Sequence, residues 1–189
     1  MFRHAAAIVL LPALLVLSAC ASDLTKEEIS ARRAAAGQVH KMAETPSAVQ
    51  SFLSDTTTKS HSIHGTQIEY LAANGETFLW YPGNNRGVSG RWKLQIASYG
   101  LEICFLYGEG SYNPVTRERG GSWKCDMAAY YILKRDEIVS GNPFRLSRKI
   151  PYVLPKKIDI SLDQAMRSSG FGPLRQKNRA PVPQYPDQG

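Results

Sequence analysis

The sequence predicts an α+β domain with a helical spacer at its N-terminal side, an antiparallel curved β-sheet or small open barrel in the middle, and a short C-terminal helix followed by a disordered tail. Three observations carry this expectation. Residues 24–43 combine a capping-box spacing with strong helix formers. Between His61 and Gly141 the apolar pattern changes to period two. Turn signals recur there at short intervals, and short connections force neighbouring strands to run antiparallel, because a parallel return needs a long crossover.

The elements follow in order. Thr25 and Glu28 have the reciprocal capping spacing, so a helix is expected from Leu24 to Ala43, with Ile29, Ala36, Val39 and Ala43 on a thin apolar face. Thr45-Pro46 reads as an N-cap followed by proline at the first helical position, starting a short helix through Phe52 and Leu53. Thr56 to Ser60 is too polar and β-branched to continue it. Ile68 and Tyr70 alternate with Gln67 and Glu69, and Trp92, Leu94 and Ile96 alternate with Lys93 and Gln95. Further strands are expected at Thr77 to Tyr81, Leu101 to Tyr107 and Trp123 to Leu133, giving a meander of five or six. The polar, glycine-rich stretch from Gly108 to Gly121 reads as a long loop. The prolines of Ile150 to Pro155 exclude that apolar piece from a central strand and assign it to an edge. Ser161 caps a helix from Leu162 to Ser168 that Gly170 ends, and the proline-rich 176–189 reads as disordered.

The first twenty residues resemble a targeting signal. Arg3 precedes an apolar run from Ala5 to Leu17, too short to span a bilayer at about 20 residues and interrupted by Pro12. Leu17-Ser18-Ala19-Cys20 resembles the lipobox of bacterial lipoproteins. The resemblance implies cleavage before Cys20 and lipid on its thiol; Ala21, in place of aspartate, implies the outer membrane, with the domain facing the periplasm. An ordinary secreted protein cut after the small residues Ser18 and Ala19 is the alternative. Several acyl chains at about 0.8 kcal/mol per buried methylene anchor a protein stably. The expected organisation is a signal peptide over 1–19, an anchor and helical spacer over 20–45, a β-rich domain over 46–141, a basic appendage over 142–175 and the tail.

In an exported, oxidising compartment the two remaining cysteines, Cys104 and Cys125, are expected to pair, the alternative being two buried free thiols. The net charge of +7 is unevenly placed: residues 20–141 carry 13 Lys/Arg against 13 Asp/Glu, whereas 142–189 carry 9 against 3. Arg145, Arg148, Lys149, Lys156 and Lys157 cluster around an apolar stretch and are candidates for contact with an anionic envelope surface, or form a solubilising tail. Export removes nucleic acid as a natural partner; the expected partners are the membrane, through the N-terminal lipid, and an envelope protein or anionic envelope polymer.

Candidate chemistry is sparse. His61 and His64 are three apart on a strand, which aims them at opposite faces, so no metal is expected. Glu69, Glu76 and Glu102 read as exposed strand carboxylates, and no nucleophile signature is present. No cofactor is expected and no catalytic residue is assigned. The aromatics Trp80, Tyr81, Trp92, Tyr99, Phe105, Tyr107, Trp123, Tyr130 and Tyr131 build the core, with a minority available to line a groove.

The order of a short helix, Gly90-Arg91-Trp92, Ile103-Cys104-Phe105 and Trp123-Lys124-Cys125 resembles an uncharacterised family of small exported proteobacterial proteins, domain of unknown function 995, over residues 46–133. The resemblance implies a compact β domain with a Cys104–Cys125 bridge and brings no known catalytic residues. The expected function is a membrane-anchored, non-catalytic binding or envelope-interaction module. The alternatives are an envelope hydrolase with a site assembled from dispersed residues, around His61 or His64, and a lipocalin-like carrier of a small apolar ligand.

Overall fold

A computed structural model describes residues 25–113, 117, 119–174 and 179–180. The expected signal peptide, Cys20 and almost all of the expected tail lie outside the described residues. Helix α1 (Lys26–Ala43) starts as its sequence dictates: the Thr25 hydroxyl accepts from the Glu28 amide at 3.2 Å, and the Glu28 carboxylate accepts from the Thr25 amide at 2.8 Å. Helix α2 (Pro46–Leu53) begins at its proline, although the Thr45 side chain makes no capping bond. None of the described helices is long and apolar enough to cross a membrane.

The chain then enters a curled antiparallel sheet. Its strands are β1 (Thr56–Ser62), β2 (Gly65–Leu71), β3 (Glu76–Trp80), β4 (Val88–Ala97), β5 (Gly100–Tyr107), β6 (Lys124–Met127) and β7 (Glu137–Ser140). A two-residue β8 (Arg179–Ala180) adds to the last, and the spatial order is β6-β5-β4-β3-β2-β1-β7-β8. β2 to β6 form the expected meander, but the sheet is larger than five or six strands because β1 and β7 extend it beyond β2. β1 is an unbroken polar run placed mid-sheet between β2 and β7. Its threonines have the branched shape that suits a pleated surface, and their hydroxyls are satisfied: Thr56 donates to the Leu53 carbonyl and Thr57 to the Gly141 carbonyl, both at 2.7 Å.

The expected strand from Trp123 to Leu133 is two elements. β6 stops at Met127, and Ala128–Leu133 form helix α3, whose Ala128, Ala129, Tyr131, Ile132 and Leu133 are buried. An apolar run buried on most sides has no period to distinguish strand from helix. This helix carries the chain from one end of the sheet to the other, so β7 pairs with β1 and not with β6.

The in-register pairs sort side chains to two faces. Thr58, Glu69 and Leu79 lie opposite one another along the inner face, as do Thr77, Gly90 and Tyr107. At one end this face is filled: Leu71, Trp92, Leu101 and Ile103 pack under α1, α2 and α3, with Val39 and Leu53 from the helices. The second half of α1 is therefore part of the domain core. The outer face carries Ile68, Trp80 and Val139, and the C-terminal segment closes over it with Phe144, Leu146, Leu154 and Leu162. Ile150 to Pro155 thus crosses the outer face instead of lining an edge: Leu154 is fully buried, and the Trp80 indole donates to the Tyr152 carbonyl at 2.8 Å. Helix α4 (Leu162–Ser168) has the Ser161–Gln164 capping box, and Gly170 follows it with φ of 71°.

Candidate functional site

The helices leave the other end of the inner face uncovered, and there the curled sheet encloses an open concavity of about 3000 Å³. Glu69 is set in its floor. On a strand paired on both sides, its carboxylate points inward among hydroxyls: Thr77 donates to Oε1 at 2.7 Å, Tyr107 donates to the same oxygen, and Tyr131 donates to Oε2 at 3.4 Å. Thr58 and Tyr131 approach each other at 3.5 Å. Glu69 is only 6% exposed, which corrects its reading as a solvated strand carboxylate. Burial pushes its carboxyl above the usual range, and donation from Tyr107 and Thr77 and the nearby charge of Arg135 only partly offset this. Burial beside that carboxylate in turn pushes the phenols of Tyr107 and Tyr131 upward, so both remain protonated donors.

The rings holding Glu69 are themselves ordered. Phe105 lies parallel to Tyr107, with centroids 6.2 Å apart, and is tilted against Tyr131 at 5.3 Å. The Arg135 guanidinium covers the Tyr131 ring at 4.3 Å while its Nε donates to the Tyr131 carbonyl at 3.1 Å. The result is a fixed aromatic floor with Phe105 and Tyr107 half-buried toward the opening.

On the opposite face of β1, in register with Ile68, the almost buried Lys59 ammonium bridges Asp136 at 2.9 Å and Asp159 at 2.6 Å. For Lys59, burial opposes the charge, but donation to Asp159 and Asp136 outweighs it and raises the ammonium's pKa. The pair ties β1 to the C-terminal segment. His61, near the end of β1, is exposed, and His64 sits in the following turn; both reach the concavity wall.

Comparisons with protein-family models, curated proteins and solved structures return no match. The functional reading therefore rests on this geometry and on the sequence motifs.

Other residues singled out by sequence fall in separate places. Cys104 and Cys125 are in register on β5 and β6 and form a disulfide, with α-carbons 4.0 Å apart, on the outer side of the sheet away from the floor. Glu102 lies near both sulfurs, but these are bonded to each other, leaving a single carboxylate that already accepts from Tyr99 and Gln95. Glu102 is 6% exposed, so it too departs from the exposed reading, whereas Glu76 pairs opposite Arg91 on the outer face. Of the five basic candidates, Arg148, Lys156 and Lys157 line the concavity; Arg145 instead approaches the Phe171 ring at 5.8 Å, and Lys149 is exposed elsewhere. Sequence reasoning missed Glu69, Tyr107 and Tyr131 as a group. A glutamate alternating with Ile68 and Tyr70 looks solvated until the neighbouring strands curl over its face.

Proposed function

We propose that this chain is a lipoprotein of the bacterial cell envelope, tethered through lipid on Cys20, and that its β domain is a non-catalytic binding module whose ligand enters the concavity. The observation that carries this reading is the open inner face floored by immobilised rings. Both carboxylate oxygens of Glu69 accept from hydroxyls, an arrangement that holds Tyr107 and Tyr131 in place. Rigid aromatics on a scaffold contribute contact area at low ordering cost. A lipocalin-like carrier calls for a closed apolar cavity, whereas this concavity is open and rimmed by charge. The lipobox supports the tether, which would hold the domain at a membrane surface facing other envelope components.

The test places a photoreactive amino acid at Gln67 or Tyr112, inside the concavity, and at Lys93, on the outer face, in the full chain expressed in a bacterial envelope. Specific cross-links from Gln67 and Tyr112 but not from Lys93 are expected. Cross-links equal from both faces, or none from the concavity, overturn the binding reading. The tether is checked by intact mass: an unmodified mature N-terminus, or a Cys20→Ser chain still bound to membrane with unchanged mass, removes it.

A further inference from the structure

We infer that the concavity takes an acidic glycan, a polymer of sugars bearing carboxylate or phosphate groups. This inference rests on the binding reading above and names the ligand class of the same site. Three features of the walls carry it.

The first is charge. Among the described residues lining the concavity there are ten Lys and Arg against five Asp and Glu, and two of those five carboxylates neutralise Lys59. Arg86, Arg148, Lys156 and Lys157 form no ion pair with a described carboxylate. They share one wall because the backbone brings them together: the Gly87 amide donates to the Arg148 carbonyl at 3.0 Å, and the Lys157 amide to the His64 carbonyl at 2.8 Å. Gly83 permits the same closeness, since a β-carbon there would stand 2.3 Å from Lys156 Cε. Like charges gathered on the wall of a cleft focus an attractive field on an anion.

The second is the floor. Phe105 and Tyr107 offer ring surface in a concavity that Ser60 and Gln67 also line with hydroxyl and amide groups, a mixture that suits the apolar faces and hydroxyl rims of sugar rings.

The third discriminates against an acidic peptide. Peptides that bind sheets add a strand at a free edge, but the floor strands β2, β3 and β4 are each paired on both sides. Their backbone groups are already used, so over the floor recognition falls to side chains, which favours a glycan there; a peptide strand would be confined to the edge strand β6 at the end of the sheet.

The experiment uses the full chain in a polyoxyethylene detergent, with oligogalacturonate as the acidic glycan probe. A neutral malto-oligosaccharide, polyglutamate of matched charge, and phosphatidylglycerol vesicles are the comparison ligands. Oligogalacturonate is expected to bind most tightly and to weaken with added salt. Replacing Arg148, Lys156 and Lys157 together by Gln should weaken it at least about tenfold, and Tyr107→Ala should weaken it further. The triple replacement Lys41, Arg91 and Lys93→Gln, which removes equal charge outside the concavity, should change it little. Binding of the neutral glycan or polyglutamate equal to that of oligogalacturonate overturns the inference. So does equal loss in the two triple variants, or a loss confined to vesicle binding. Cross-links from Gln67 and Tyr112 without oligogalacturonate binding reject the ligand class alone; loss of both rejects the binding reading as well.

Discussion

The phenol of Tyr107, at the end of β5, donates to the carboxylate of Glu69 on β2, spanning the two strands that lie between them. Such a bond forms only because the sheet curls, and it couples the ionisation of Glu69 to the fold. Since burial raises the folded carboxyl above its unfolded value, ionisation is harder in the folded state. The contribution to stability is then fully present below the unfolded value and is lost as pH rises through the folded one. Glu69→Gln removes that loss, so denaturation measured from about pH 4 to about pH 8 should show the variant gaining on the wild type as pH rises. Parallel curves count against the raised ionisation. Tyr107→Phe removes a donor that favours the carboxylate, so its pH dependence should be steeper than wild type, with a cost of about 1–2 kcal/mol.

Lys59 predicts the opposite behaviour at the acid end. Burial of Asp159 opposes its ionisation, but donation from Lys59 and the lysine's charge outweigh this and hold the carboxyl below its usual value. Its contribution is present above the unfolded value and is lost as pH falls through the folded one. Because the partner carboxylates are 38% and 53% exposed and can regain water, Lys59→Met should cost only about 2 kcal/mol near neutrality. The variant should also show a weaker loss of stability than wild type as pH falls below about pH 4. An acid-side dependence identical to that of wild type would show that the bridge does not contribute to it.

The disulfide closes a sequence separation of 21 and fastens β6, whose described ladder partner is β5 alone. Reduction, or Cys104→Ala with Cys125→Ala, should cost about 3 kcal/mol in the chain-entropy model. Hydrogen exchange locates the effect: amides of Lys124 to Met127 should exchange faster, while those of β2 and β3, paired on both sides, change little. Uniform acceleration across the sheet would assign the bridge to global stability only.

The elements legible in the sequence are those with local chemistry. The boxes at Thr25 and Ser161, Pro46 at the start of α2, and the period-two strands around Ile68 and Trp92 each carry their signal within a few residues. β1 was illegible because its polarity is compensated far away, Lys59 by Asp136 and Asp159 and Thr57 by Gly141. The site was illegible for a related reason. Glu69, Thr77, Tyr107 and Tyr131 come from β2, β3, β5 and α3, and only the curl of the sheet and the crossing of α3 bring their hydroxyls to one carboxylate.

Gly90 is the position where that convergence is most open to test. It lies opposite Tyr107 in the β4–β5 ladder, and a β-carbon on it would stand 2.7 Å from the Tyr107 ring and 2.7 Å from the Leu106 carbonyl. The ring therefore crosses β4 over a residue without a side chain, which lets its hydroxyl reach Glu69 two strands further on. Gly90→Val should drive the ring off that path at an overpacking cost of about 1–3 kcal/mol. Crowding by itself predicts only destabilisation. Loss of the Tyr107–Glu69 bond predicts in addition that Tyr107→Phe costs less in the Gly90→Val background than in wild type, because the hydroxyl has already been displaced. A double-mutant cycle read by denaturant unfolding separates the two. Additive costs would mean that Tyr107 keeps its bond when Gly90 is filled, and that the bare backbone at Gly90 is not what steers the ring to Glu69.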